Sequence, residues 1–144
     1  MPEFPHHYHV SATAQTEGLV SLQGDGLPEF KSAAPKEFGG PGDQWSPEDL
    51  LVGAIADCFV LSFRAIAGMS KFSWNSLTCE VSGTLDKVER STQFTHFDIK
   101  AHLTVPADSD TGRAQRLLEK AEQSCFITNS LKSEPRLETT IETV

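Results

Sequence analysis

The chain has 144 residues, 38% of them hydrophobic, and a formal net charge of −8 at pH 7. This length and composition suit one globular domain with a buried core, so we expect residues 1–144 to form a single domain. The acidic balance, with lysines and arginines scattered along the chain, disfavours nucleic acid as a partner.

The first ten residues, MPEFPHHYHV, carry no basic segment followed by an apolar run and therefore predict no secretion signal. Three widely spaced cysteines favour free thiols over a disulfide scaffold. The only stretch apolar enough to suggest a membrane span, residues 50–69, is interrupted by Asp57 and Arg64 and follows a strong helix cap. We therefore expect a cytoplasmic protein with a buried helix and no membrane contact.

The N-terminal region predicts a hairpin followed by a long loop. Apolar and polar residues alternate from Tyr8 to Ala14, and a second apolar run at 19–22 follows a turn-like segment. Residues 24–45 are rich in glycine and proline, which disfavours both helix and central strand. A loop of this length is usually functional or mobile.

A long helix is predicted to begin after this loop. Ser46 is suited to cap it, Pro47 fits its first position, and Asp49 completes a capping-box pattern. Apolar residues continue to Met69, with Cys58 in the middle. Small residues that would let a second helix approach closely are also present: Gly53, Ala54, Ala56, Ala65, Ala67 and Gly68.

Beyond this helix the apolar period changes to two. Residues 77–85 and 97–105 alternate and predict two long strands joined by a turn at 89–92. Cys79 lies on the inward phase of the first strand, where a small buried apolar residue is the expected role.

The C-terminal region predicts a second helix and a last strand. Residues 108–110 offer helix caps, and an apolar stripe at helical spacing follows and ends at Cys125. Alternation over 136–144 predicts the strand. The elements together indicate an α+β fold.

The residue pattern alone does not decide the role of Cys58. A buried cysteine in an apolar helix is common, and the neighbouring Asp57 should raise the thiol pKa rather than lower it. Both a structural and a reactive thiol fit the periodicity.

Two motifs taken together resemble the OsmC/Ohr family, the osmotically inducible and organic hydroperoxide resistance proteins. In "WSPEDLLVGAIADCFVLSFRAIA" a Pro-Glu pair opens a helix and a Cys-Phe pair follows ten residues after that glutamate; "SCFITNSLK" supplies a second cysteine before an Asn-Ser-Leu segment. The order of predicted elements also fits along nearly the whole chain. The resemblance implies an OsmC/Ohr-like fold, with antiparallel sheets around a long buried central helix, in an intertwined homodimer.

The resemblance also implies a thiol-dependent peroxidase that reduces organic hydroperoxides in oxidative stress defence. Cys58 would be the peroxidatic cysteine, and Cys125 would resolve its sulfenic acid to a disulfide. Such a pair protects the sulfenic acid from irreversible over-oxidation. A dithiol reductant, of lipoyl or thioredoxin type, would complete the cycle, and no cofactor or metal is implied.

Glu48 matches the family's functional glutamate, whose role is to hold an arginine beside the peroxidatic thiolate. Ten residues of helix separate Glu48 from Cys58 by roughly 15 Å along the axis, so Glu48 is expected to serve the site of the partner subunit. The alternative is an ordinary acid in a first helical turn, favoured by the helix dipole.

The chain departs from the family pattern in its cations, because it has no arginine before Arg64. Lys36, in the long loop, is the candidate substitute as a point charge, although it lacks the planar fork of arginine. The alternative for Lys36 is an ordinary solvated loop lysine. Without an evident cation, an ordinary or raised pKa is expected for Cys58.

Two further functions stay open at this point. The first is an OsmC-like, stress-associated ligand-binding or redox-responsive protein without efficient peroxidase turnover. The second is a structural dimer with inert thiols. A metal site at residues 6–9, HHYH, is not predicted, because no carboxylate or thiol stands at a matching spacing.

Overall fold

A computed structural model describes residues 3–144 and contains two helices and two three-stranded sheets within that range. The elements in chain order are β1 (Ser11–Thr13), β2 (Val20–Gln23), β3 (Phe30–Ser32), a 3-10 turn (Lys36–Phe38), α1 (Pro47–Met69), β4 (Ser76–Val88), β5 (Ser91–Val105), α2 (Thr111–Gln123), a second 3-10 turn (Thr128–Ser130) and β6 (Arg136–Thr143). The chain divides into two compact units, one ending at Leu50 and the other beginning at Leu51.

The first unit contains an antiparallel sheet of order β1-β2-β3. The expected opening hairpin is present, but β1 covers only Ser11–Thr13. The expected unbroken loop at 24–45 is wrong, because β3 lies within it and pairs Phe30 with Leu22. Three residues of strand are too few to show a period of two, and the neighbouring glycines favour the prediction of a loop. Gly26, at φ +72°, makes the turn between β2 and β3 in a conformation that favours glycine.

The start of α1 follows the predicted capping box. The Ser46 hydroxyl accepts the Asp49 amide N–H at 3.1 Å, and the Asp49 carboxylate accepts the Ser46 amide N–H at 3.1 Å. The hydroxyl of Ser46 also donates to this carboxylate at 2.8 Å. These bonds satisfy main-chain donors that have no partner within the helix.

Within the single chain, α1 is buried along one face only. The buried residues of its 23 are Ile55, Phe59, Phe63, Ile66 and Ala67. Leu61 remains 49% exposed and Met69 78% exposed. Among residues 3–144, α1 is the one helix long and apolar enough to cross a membrane, a test that core helices of soluble proteins also pass.

The second unit contains a sheet of order β4-β5-β6. β4 and β5 form the predicted long hairpin, paired from Ser76 opposite Thr104 to Val88 opposite Ser91 with a register shift between Thr84 and Leu85. The exposed turn at Glu89 and Arg90 joins them within the predicted range, with Glu89 at φ +59°.

The expectation of antiparallel sheets is wrong for the third strand of this sheet. β6 pairs with β5 in parallel, from Arg136 opposite Asp98 to Thr143 opposite Val105. The reason is the connection: the chain leaves β5, passes through α2 and returns in the same direction, as a parallel pair requires. The sheet is therefore mixed.

α2 supplies the remaining side of the core. Its N-cap is Asp110, whose carboxylate accepts the amide N–H of Arg113 at 3.0 Å. The predicted apolar stripe is buried, at Ala114, Leu117, Leu118 and Ala121. These side chains join the buried face of α1 and the inner face of β5 in one hydrophobic core. This packing brings the C-terminal end of α2 to the middle of α1.

Candidate functional site

The structure brings Cys58 and Cys125 together. Cys58 lies in the middle of α1 and is partly buried, and Cys125, just after the end of α2, is only 1% exposed. Both are free thiols, and they lie close enough for each side chain to shift the pKa of the other. The two helices that carry them pack in the same core, which explains how residues so distant in sequence become neighbours.

The segment after Cys125 folds as a tight helical turn. The Asn129 amide N–H donates to the Cys125 carbonyl oxygen at 3.0 Å, and the Thr128 hydroxyl donates to the same oxygen at 3.3 Å. The first amides of such a turn have no carbonyl partner within it. Those of Phe126 and Ile127 are therefore free to donate to a neighbouring acceptor.

The acceptor is the Cys58 sulfur. Burial raises the pKa of the Cys58 thiol, but hydrogen bonds from the Cys125 side chain, the Ile127 amide, the Ser62 hydroxyl and the Phe126 amide outweigh it. The pKa therefore lies below its ordinary value. The expectation of an ordinary or raised pKa is wrong, because neutral donors from the turn and from Ser62 stabilise the thiolate without a cation.

Cys125 is affected in the opposite sense. Burial raises the pKa of its thiol, and the hydrogen bond with Cys58 raises it further, while the Thr128 amide and hydroxyl offset part of this. Of the two hydrogen-bonded sulfurs, Cys58 therefore loses its proton first, and Cys125 keeps its own.

Cys79 occupies the predicted inward position on β4, partly buried against the hydrophobic core. Burial, followed by the nearby Cys125 and Glu80, raises the pKa of its thiol to about 11. A thiol this weakly acidic is a poor nucleophile at neutral pH.

Glu48 belongs to the first unit, in the first turn of α1. One of its carboxylate oxygens, Oε1, is buried and has no hydrogen-bond partner within residues 3–144. Glu48 also lines a cavity of about 510 Å³ in that unit. The other residues around the cavity are Ala12, Val20, Leu22, Ser32, Ala33, Ala34, Pro35, Phe38, Pro47 and Leu50. A buried carboxylate oxygen without a partner is suited to a hydrogen-bond donor or a cation.

Lys36 also belongs to the first unit, at the start of the 3-10 turn. Within residues 3–144, Lys31 is ion-paired with Glu29 at 3.4 Å, and His102 Nε2 is hydrogen-bonded to Glu142 Oε2 at 2.9 Å. In the described chain, Lys36 and Glu48 are thus not ion-paired with each other.

Three of the contacts to Cys58 were not predicted from the sequence. Ser62 stands four residues after it, a spacing that places two helical side chains on the same face, so this contact had a detectable signal. The amides of Phe126 and Ile127 had none, because every residue but proline carries an amide N–H and only the fold determines where it points.

Comparison with known proteins gives a family and a fold. The family model described as "OsmC-like protein" matches residues 40–140. An organic hydroperoxide resistance protein from Xanthomonas axonopodis pv. citri is 29% identical over 127 residues, 86% of this chain and 85% of that protein. The peroxiredoxin OsmC of Escherichia coli is 28% identical over 93 residues, 65% of this chain and 64% of that protein.

Among solved structures, an OsmC-like protein of unknown function from Vibrio cholerae superposes with a TM-score of 0.85 at 19% identity. The match covers 94% of this chain and 100% of that one. It shows the fold, an OsmC/Ohr-like α+β architecture. With a family model that covers well over half of its length, the chain belongs to the OsmC-like protein family.

Proposed function

We propose that the protein is a thiol peroxidase that reduces organic hydroperoxides through Cys58 and Cys125. The observation that carries the proposal is the neighbouring pair of thiols, of which the surroundings lower the pKa of Cys58 and raise the pKa of Cys125. A nucleophile and a second thiol in contact with it are what a two-cysteine cycle needs.

The proposed cycle has three steps. The Cys58 thiolate attacks the O–O bond of a hydroperoxide and takes one oxygen as sulfenic acid, while the alcohol leaves with a proton from solvent. The Cys125 thiol then attacks the sulfenic sulfur, which forms the disulfide and releases water. A dithiol of lipoyl or thioredoxin type exchanges with this disulfide, returns both cysteines to thiols and leaves as its own disulfide.

The substrate class rests on the relatives. Two of them are named as an organic hydroperoxide resistance protein and a peroxiredoxin, which supports a hydroperoxide substrate and a role in oxidative stress defence. A single OsmC-like domain and a cytoplasmic location are part of the proposal. The family match runs across the boundary at Leu50 and supports the single domain.

A homodimer completes the proposal. Ala54, Cys58, Leu61, Ala65 and Gly68 recur on one side of α1 at alternating spacings of four and three; we call them the α1 strip. All are exposed or partly exposed in the single chain, and small residues there would let a second α1 helix approach closely. Burial of the α1 strip against a second copy would explain a helix this apolar with only one covered face.

We also propose a role for Glu48 and for Lys36 within this dimer. Glu48 is proposed as an orienting acid at the site of the partner subunit, which is consistent with its carboxylate oxygen lacking a partner within one chain. Lys36 is proposed as the cation that Glu48 orients, in place of the missing arginine. The neutral donors at Cys58 reduce the need for that cation.

A second candidate function is favoured by the cavity of about 510 Å³ beside Glu48. An apolar cavity with one carboxylate is suited to a small amphipathic ligand. In this alternative the protein binds a ligand or responds to redox change without efficient peroxidase turnover.

The deciding experiment is stopped-flow oxidation of the reduced protein by cumene hydroperoxide and by hydrogen peroxide. We expect rapid thiol loss in the wild type, no rapid phase in Cys58→Ser, and a stable sulfenic acid in Cys125→Ser. Cys79→Ser is the matched control and should react like the wild type. Wild-type oxidation no faster than that of a free thiol would contradict the peroxidase and favour the binding protein.

A further inference from the structure

Ser62 is the contact of Cys58 that lies on the same helix. It follows Cys58 by four residues on α1, so the two side chains stack on one face. The Ser62 Oγ atom lies 3.8 Å from the Cys58 Sγ atom, within hydrogen-bonding reach of the large sulfur atom.

The hydroxyl of Ser62 is used in an unusual way. A serine inside a helix commonly donates to the carbonyl four residues earlier, which here is that of Cys58. Across residues 3–144, the hydrogen bond made by the Ser62 side chain is instead with the Cys58 sulfur. A thiolate can only accept, so once Cys58 is ionised Ser62 must be the donor.

In the second unit, neutral donors rather than charged groups stabilise the Cys58 thiolate. Asp57 and Arg64 are both exposed on α1, and Arg64 lies about 600° round the helix from Cys58, on another face. The titratable groups that face Cys58 from other elements are Cys125 and, beyond it, Cys79 of β4.

We propose that Ser62 is a positioning residue for Cys58, whose hydroxyl holds the reacting sulfur as a thiolate and directs it towards Cys125. This deepens the proposed peroxidase function and rests on it for its catalytic consequence. Ser62 donates to the Cys58 sulfur through its side chain. A single substitution can therefore remove this donor without altering the main chain or the resolving cysteine.

The test is the pH dependence of Cys58 alkylation by iodoacetamide, with the modified peptide quantified by mass spectrometry. In Ser62→Ala, we expect the apparent pKa of Cys58 to rise by about 0.5 to 1 unit. Ser62→Thr retains a hydroxyl and should restore most of the wild-type value. Ser70→Ala, just past the end of α1, is the matched control and should leave the profile unchanged.

Thermal melts of all four proteins separate a positioning role from a structural one. A lower melting temperature in Ser62→Ala with an unchanged Cys58 profile would overturn the proposal, as would a Ser62→Thr variant that shifts as far as Ser62→Ala. The assay uses no peroxide, so a wild type without peroxidase turnover would refute the proposed function while the Ser62 result stood by itself.

Discussion

Cys58 and Cys125 are neighbours, yet their surroundings shift the pKa values of the two thiols in opposite directions. Both lose hydration on burial, which disfavours the charged form of each. Only Cys58 gathers enough donors to overcome this cost, while Cys125 lies almost completely inside the core. The opposite directions of the two pKa shifts thus follow from how many hydrogen-bond donors each thiol meets.

Labelling should distinguish the Cys58 thiol from the Cys79 thiol. With a pKa of about 11, Cys79 is only about 0.1% thiolate at pH 8, whereas the lowered pKa of Cys58 makes it the most ionised. A brief iodoacetamide pulse at pH 8, read by peptide mass spectrometry, should therefore modify Cys58 well before Cys79. As the pH rises, the labelling rate of Cys58 should reach its plateau at a lower pH than that of Cys79. Equal labelling of the two at pH 8 would contradict the structure.

The sequence singled out the two cysteines that the structure brings together, but not the direction in which the pKa of Cys58 shifts. Both cysteines stood in recognisable motifs, and a helical stripe indicated that Cys125 faces the core. The expectation of an ordinary or raised pKa for Cys58 was wrong, because the groups that lower this pKa include main-chain amides from a turn far along the chain. Their position depends on α2 packing against α1, which no local pattern records.

At the scale of elements, the local signals were reliable where they were long. The capping box predicted the start of α1, and thirteen residues of β4 opposite fifteen of β5 showed their period clearly. β3 was missed because it has only three residues. The direction of β6 was missed because alternation reports the period of a strand and not the orientation of its neighbour.

A substitution in β4 tests how closely this hairpin packs. A Cβ atom at Gly83 would lie 2.9 Å from Phe94 Cε1 and 3.0 Å from Val52 Cγ2. Phe94 cannot yield easily, because its ring stacks on Phe97 with centroids 5.2 Å apart. Overpacking of about 1–3 kcal/mol should exceed the gain of about 0.5–1 kcal/mol from replacing a strand glycine.

Gly83→Ala should therefore lower the free energy of unfolding by about 1 kcal/mol in urea titrations. Ser82→Ala is the control, since Ser82 is exposed and points to the opposite face of the strand. A Gly83→Ala protein as stable as the wild type would mean that Phe94 and Val52 relax more freely than the packing suggests.

At the scale of the whole molecule, the apolar surface of α1 is greater than one copy of the chain covers. Leu61, at 49% exposure, is the largest side chain of the α1 strip. We expect Leu61→Arg to weaken the proposed dimer at least tenfold, because it would place a charge in a close helix contact while costing little in the monomer.

Sedimentation over a range of protein concentrations measures this effect. Arg64→Gln is the control, because Arg64 lies on α1 outside the α1 strip and should leave the association unchanged. A wild-type protein that is monomeric at high micromolar concentration would contradict the dimer. A Leu61→Arg protein that still dimerises would move the contact to another surface.

The exposed turn at Glu89 and Arg90 has a consequence for any disulfide between Cys58 and Cys125. That bond would close residues 58–125 into a covalent ring, and the turn lies within this ring. One tryptic cut after Arg90 would open the ring of the oxidised chain without releasing a fragment, whereas the same cut would divide the reduced chain into two pieces. The number of bands on a gel after this single cut would thus report whether Cys58 and Cys125 are oxidised or reduced.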